Sequence, residues 1–307
     1  MIFDAHGDIL TDVMIELGKG IDIWNDYHLP MYKKANIKQT VLINFTDPFA
    51  DNQKQEYKKI NDIALPYFKE NKSVNVLNDN DFDLEKVNII FGIEGLGALE
   101  NMNDVKEARE LGYKLYGLTW NETNNFAAGA DSLNGLTALG EELIRFLDEN
   151  NCIIDLAHAS KKTFLDVANL TKNPLFVSHS GCASILDIVR NVDDKQLEMI
   201  RKSSGVVGIY NIDAFLAKDP KEATVQTLCD HIDHVVNTIG IDHVGLGLDF
   251  CYYLGDHDGD QGTQGLKRIS DTNNILVELK ERGYSDIDVE KVAFTNMKRV
   301  TDIILKI

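Results

Sequence analysis

The chain has 307 residues, with 49 Asp and Glu against 31 Lys and Arg, for a formal net charge of −18. That length suits one large α/β barrel or two mid-sized domains, and the acidity argues against polyanionic partners such as nucleic acid and anionic membrane surfaces. With 44% apolar and 26% charged residues the composition is that of a soluble folded protein. No stretch of about 18 apolar residues could cross a bilayer. Asp4, His6 and Asp8 interrupt the N-terminus where a secretory leader would be apolar. Cys152, Cys182, Cys229 and Cys251 lack close metal-ligand spacing and suggest no oxidising compartment, so a cytoplasmic protein is expected.

In chain order, short apolar runs recur at 2–5, 40–45, 88–93, 114–120, 152–157, 174–178, 205–210 and 243–248. Each is of strand length and rich in Ile, Val or Leu. Helical patterns lie between several of them. Leu136, Leu139, Leu143, Phe146 and Leu147 share one helical face over 136–147, as do Val225, Leu228, Ile232, Val235, Val236 and Ile239 over 225–239. Eight buried-type strands alternating with helices predict a (β/α)8 TIM barrel. A doubly wound open sheet is the weaker alternative, because no Gly-rich phosphate loop follows the first strand. No linker or repeat interrupts the pattern, so residues 1–307 read as one domain.

Barrel enzymes carry their chemistry just beyond the strands. There the sequence places His6 and Asp8, Glu94, Trp120, His158, His179, Tyr210 and Asp249. His6 and Asp8 are two apart on a strand and share a face, so they can grip one cation together. Imidazole with carboxylate suits Zn²⁺ or a similar divalent ion. Three histidines and three carboxylates exceed the needs of one catalytic zinc. They fit two metals that share a carboxylate and clamp a bridging hydroxide able to attack a carbonyl carbon. The residues thus point to metal-assisted hydrolysis.

Other candidates read as structural. His231 and His234, beside Asp230 and Asp233, are expected on a solvated helix face, and His243 opens the last strand at the end away from catalysis. Asp256, Asp258 and Asp260 resemble the start of a calcium loop, but Gln261 and Lys267 stand where that loop needs Gly and Glu. Ser178 and Ser180 lack a nucleophile elbow, and Gly92, Gly95 and Gly97 form no dinucleotide fingerprint.

The segments DAHGDIL (4–10), YHLP (27–30), FGIEG (91–95), LGYKLYGLTWNETNNFAAG (111–129), IIDLAHAS (153–160), PLFVSHS (174–180), RNVDD (190–194) and DHVGLGLDF (242–250) together resemble the membrane (renal-type) dipeptidases of the amidohydrolase superfamily. The resemblance covers nearly the whole chain. It implies a (β/α)8 barrel with two zinc ions: His6, Asp8 and Asp249 match the ligands of one, Glu94 the bridge, and His158 and His179 the ligands of the other. Asp249 also matches the general base. Arg190 matches the arginine that binds the substrate's terminal carboxylate, a task suited to a bidentate guanidinium.

Two positions depart from the family pattern. Trp120 replaces a histidine that contacts the substrate carbonyl region, which shifts carbonyl polarisation to the metals, Asn124 or another group. The segment after the last strand reads Asp249-Phe250-Cys251-Tyr252 in place of Asp-Phe-Asp-Gly. The expected function is zinc-dependent hydrolysis of a small dipeptide with a free C-terminal carboxylate, with Trp120, Asn124 and Tyr210 near the substrate. A deacylase for N-acyl amino acids is the alternative, and a non-catalytic metal-binding scaffold the reading from another class. The resemblance further suggests a homodimer.

Overall fold

The computed structural model describes residues 1–77, 81–254, 257 and 262–307. Nine strands form in chain order: β1 (Ile2–Gly7), β2 (Ile37–Phe45), β3 (Val74–Val76), β4 (Val87–Glu94), β5 (Tyr113–Gly117), β6 (Ile153–Asp155), β7 (Phe176–Ser180), β8 (Val206–Ile209) and β9 (Val244–Leu246). All pair in parallel, eight of them in the order β2-β1-β9-β8-β7-β6-β5-β4 with β3 beside β4. A β2–β4 ladder from Gln39↔Asn88 to Phe45↔Glu94 closes the ring. The fold is an eight-stranded (β/α)8 barrel.

The eight expected strands all form, several of them shorter than their apolar runs. The run 114–120 leaves the sheet after Gly117, 152–157 keeps only Ile153–Asp155, and 243–248 keeps only Val244–Leu246. The shed residues become the loops that carry site side chains. The extra strand β3 pairs with the first residues of β4, on the flank that β5 covers further along. The helix expected over 225–239 spans Val225–Ile239, and that over 136–147 appears as Ala138–Glu149. Thr137 and Thr224 accept backbone N–H bonds at their starts, satisfying donors that a helix cannot satisfy itself.

The lumen is apolar. Phe3, Val41, Ile90, Leu115, Ile153, Phe176 and Val206, one from each of seven strands, cluster with Phe294, Met297, Val300 and Ile304. The C-terminal helix Asn296–Leu305 contacts β1, β6, β8 and β9 and so plugs one end of the barrel. On their strands Phe3 and Ile90 precede His6 and Glu94, which places the polar cluster at the opposite, C-terminal end. Asp256, Asp258 and Asp260 lie outside the described residues.

One expectation about a helix face is overturned. His231 is fully buried rather than solvated: its Nδ1 accepts from the Cys182 N–H at 2.8 Å, and its Nε2 donates to the Leu216 carbonyl at 3.1 Å. It staples two rim segments to the helix that carries it. His234, one turn away, reaches Asp194 at 2.8 Å on the outside.

Candidate metal and active site

The six ligand-type side chains converge at the barrel mouth. His6 lies within β1, Asp8 precedes the helix Ile9–Gly18, Glu94 ends β4, His179 lies within β7, and His158 and Asp249 follow β6 and β9. Glu94 Oε1 stands 3.1 Å from His158 Nε2, 3.5 Å from His179 Nε2 and 3.7 Å from His6 Nε2. The two latter histidines and Glu94 form one compact donor group, and His6, Asp8 and Asp249 form a second. His6 Nε2 is 3.9 Å from Asp8 and 3.8 Å from Asp249. His158 and His179 approach each other at 3.0 Å between their Nε2 atoms. His158 and Asp249 hold their places with left-handed backbones, φ 61° and 53°. Such conformations cost energy in L residues and concentrate at functional positions.

Neighbours that sequence reasoning passed over set the proton positions. Asn121 Oδ1 meets His158 Nδ1 at 2.9 Å. An amide oxygen only accepts, so Nδ1 carries the proton and the Nε2 lone pair faces Glu94. Buried Asp155 does the same for His179 through a relay. Its Oδ1 accepts the Ser178 and Ala157 N–H groups at 2.8 and 3.1 Å, and its Oδ2 accepts the Ser178 hydroxyl. That hydroxyl is then free to accept from His179 Nδ1 at 2.8 Å. Asp4, also buried, accepts the Leu248 N–H at 2.8 Å and ties β1 to the segment before Asp249. Asp155 and Ser178 sit inside the IIDLAHAS and SHS segments, but only contact between β6 and β7 shows what they do.

The electrostatics describe a site short of positive charge. Burial, followed by the neighbouring Asp249 charge, raises the Asp8 carboxyl well above the usual range; burial and Asp8 do the same to Glu94. Burial holds His158 and His179 well below the usual imidazole range and lowers His6. Asp4 is pushed up to about 7 by burial. Both His6 ring nitrogens, Asp8 Oδ1 and Glu94 Oε1 are buried without a hydrogen-bond partner. Orphaned donor-set atoms with carboxyls that resist ionisation are what a cation would relieve.

Arg190 lies on the loop from β7 to the helix Asp194–Lys202, its backbone carbonyl held by the Ser180 hydroxyl at 3.1 Å. The residue is 7% exposed, and among the described residues no acceptor or acidic partner meets its guanidinium. The Tyr210 ring lies 5.9 Å from it, and the Glu94, Asp249 and Asp155 charges act on it without direct contact. Tyr210 is itself buried, and its hydroxyl donates to Asn191. Asn124 spends its amide on the loop: the nitrogen donates to the Leu118 carbonyl at 2.7 Å, and the oxygen accepts from Phe126 and Ala127. Trp120 stacks on His158 with centroids 5.9 Å apart, and Cys251 Sγ lies 3.6 Å from Asp249 Oδ1.

A model of the membrane dipeptidase family (Peptidase family M19) matches residues 35–307. The chain belongs to that family. The dipeptidase tcpJ of Claviceps purpurea is 28% identical over 96% of this chain, and an uncharacterized dipeptidase of Schizosaccharomyces pombe is 31% identical over 72%. The chain matches 65% and 54% of the length of these two relatives. Among solved structures, a family M19 metallopeptidase, dipeptidase AC, superposes with TM-score 0.89 at 24% identity, covering 100% of this chain and 99% of that one. A Rhodobacter sphaeroides metallopeptidase liganded with a phosphinate mimic of the dipeptide L-Ala-D-Ala gives TM-score 0.87 at 23% identity, covering 98% of each chain. Both likenesses bear out the barrel. A metallopeptidase family implies a metal cofactor, and the orphaned atoms of His6, Asp8 and Glu94 fit one. No helix among the described residues of this family member is long and apolar enough to cross a membrane.

Proposed function

We propose that the chain hydrolyses dipeptides bearing a free C-terminal carboxylate, using two zinc ions held by His6, Asp8, Asp249 and a shared Glu94 on one side and His158 and His179 on the other. The observation that carries this reading is the buried guanidinium of Arg190, without a hydrogen-bond or ion-pair partner among the described residues, beside a cluster of six ligand-type side chains. A buried unpaired cation is costly, and a substrate carboxylate is the partner it lacks. The dipeptidase relatives and the dipeptide mimic bound to the Rhodobacter sphaeroides protein support the substrate class.

Divalent ions in such a site supply a water nucleophile at neutral pH and polarise the scissile carbonyl. The chain's own residues do the rest. Arg190 fixes the carboxylate end bidentately, and the Tyr210 ring backs the guanidinium. Asp249 takes the proton from the attacking water and delivers it to the leaving amine. Trp120, which leaves the carbonyl without the family's histidine, walls the site, and Asn124 shapes the loop that carries it. Residues 1–307 act as one domain in this reading, in a cytoplasmic homodimer that binds neither nucleic acid nor membrane. An N-acyl amino acid offers the same carboxylate to Arg190, and the Trp120 departure makes a deacylase the second reading.

Metal analysis with a substrate panel tests both. Close to two divalent ions per chain, with dipeptide hydrolysis lost on chelation and restored by zinc, is the expected result. Full activity with one ion would sink the dinuclear assignment, and turnover confined to N-acyl amino acids would favour the deacylase.

A further inference from the structure

Around Trp120 the barrel mouth is apolar in a way the chemistry does not require. Phe45 ends β2 and meets the Trp120 ring at 5.9 Å; Phe49, on the loop beyond β2, meets it edge-on at 6.4 Å. Phe49 is 80% exposed. Gly95, with φ 74°, lets the Trp120 backbone come close: a Cβ at that position would lie 3.2 Å from the Trp120 nitrogen. The three rings run without interruption from solvent to His158, on which Trp120 stacks. Scattered exposed apolar residues need no explanation, but here the exposed ring continues a wall that ends on a candidate ligand.

The strand order says which part of a substrate meets this wall. Around the closed ring β2 and β7 are four steps apart in either direction, so they face each other across the mouth. Arg190 follows β7, and Phe45 and Phe49 belong to β2 and its loop. A dipeptide whose carboxylate is held at Arg190 crosses the His–carboxylate cluster with its scissile bond. Its amino-terminal residue then lies on the β2 side. We propose that Phe45, Phe49 and Trp120 form the pocket for the side chain of the amino-terminal residue and select dipeptides in which that residue is aromatic or large and apolar. The assignment rests on the dipeptidase reading and adds the identity and location of its specificity pocket.

The test uses the zinc-loaded protein and Phe49→Ala, a substitution at an exposed position that leaves the core intact. Values of kcat/KM are measured for Phe-Ala, Ala-Phe and Ala-Ala, and each phenylalanyl substrate is expressed relative to Ala-Ala. Loss of one aromatic contact lowers the Phe-Ala ratio by about 3–10-fold and leaves the Ala-Phe ratio in place. An unchanged Phe-Ala ratio, or equal falls for both substrates, would overturn the pocket. If the unaltered protein turns over none of the three, the dipeptidase reading fails. The same ratios read as dissociation constants by calorimetry then decide the pocket by the same criterion.

Discussion

Asp155→Asn should weaken metal binding without touching a ligand. Asp155 Oδ1 is fixed by two backbone donors, Ser178 N–H at 2.8 Å and Ala157 N–H at 3.1 Å. An asparagine must keep its oxygen on those donors, which forces its NH2 onto the Ser178 hydroxyl. The hydroxyl then accepts from the asparagine and gives its own proton to His179 Nδ1, reversing the relay. His179 becomes the Nε2–H tautomer, and the lone pair that faces Glu94 at 3.5 Å is lost. Substitutions that reverse such an orienting partner cost about 10–100-fold in metal affinity, or about 1.4–2.7 kcal/mol. Competition with a chromophoric chelator reads the affinity, nitrogen NMR of the imidazoles reads the tautomer, and circular dichroism checks the fold. Wild-type zinc affinity in a folded Asp155→Asn protein would refute the relay.

Arg190→Met should cost roughly 2–5 kcal/mol in kcat/KM for free dipeptides and much less for C-terminal amides; equal losses would remove the carboxylate-reading role. Asp249→Asn should lower kcat by about 10²–10⁴-fold with a smaller change in KM, and near-normal turnover would place the base elsewhere. His231→Phe strands the Cys182 N–H and the Leu216 carbonyl, so chemical denaturation should show a loss on the order of 1–3 kcal/mol for each group. The metal-free protein should lose stability as pH rises above about 6.5. Asp4, at about 7, and the raised Asp8 and Glu94 retain protons that the unfolded chain has already released, so stability falls as they ionise. The lowered histidines favour the folded state only while rising pH strips protons from the unfolded chain, and that gain is complete above the ordinary value of 6.5. Melting at pH 6.5 and 8.5, with and without zinc, checks the sign: zinc should abolish the decline.

The barrel was legible because its strands are short β-branched runs, and the six candidate ligands because each stands beside the end of one. What stayed hidden depends on contacts between elements. Asp155 and Ser178 act through each other across β6 and β7, and Asn121 acts on His158 from the loop beyond β5. Arg190 was picked out by the family resemblance as the carboxylate reader, and the fold adds that it is buried. His231 did carry a signal: it shares a helical face with Leu228, Ile232 and Val235, all fully buried. Its acidic neighbours Asp230 and Asp233 masked that periodicity. The strand Val74–Val76 is too short to announce itself by pattern and forms because the first residues of β4 leave an open edge.

In the dipeptidase reading, the left-handed backbone at His158 sets stability against chemistry at a single position. Glycine would occupy φ 61° without steric strain, worth about 1 kcal/mol, but would lose a buried ring that bonds Asn121, stacks on Trp120 and faces Glu94. Glycine there would thus trade a buried ring, and in the dipeptidase reading a metal ligand, for an unstrained turn. A lineage released from catalysis no longer needs the ring, so glycine at this position would mark a relative that kept the barrel after abandoning the reaction.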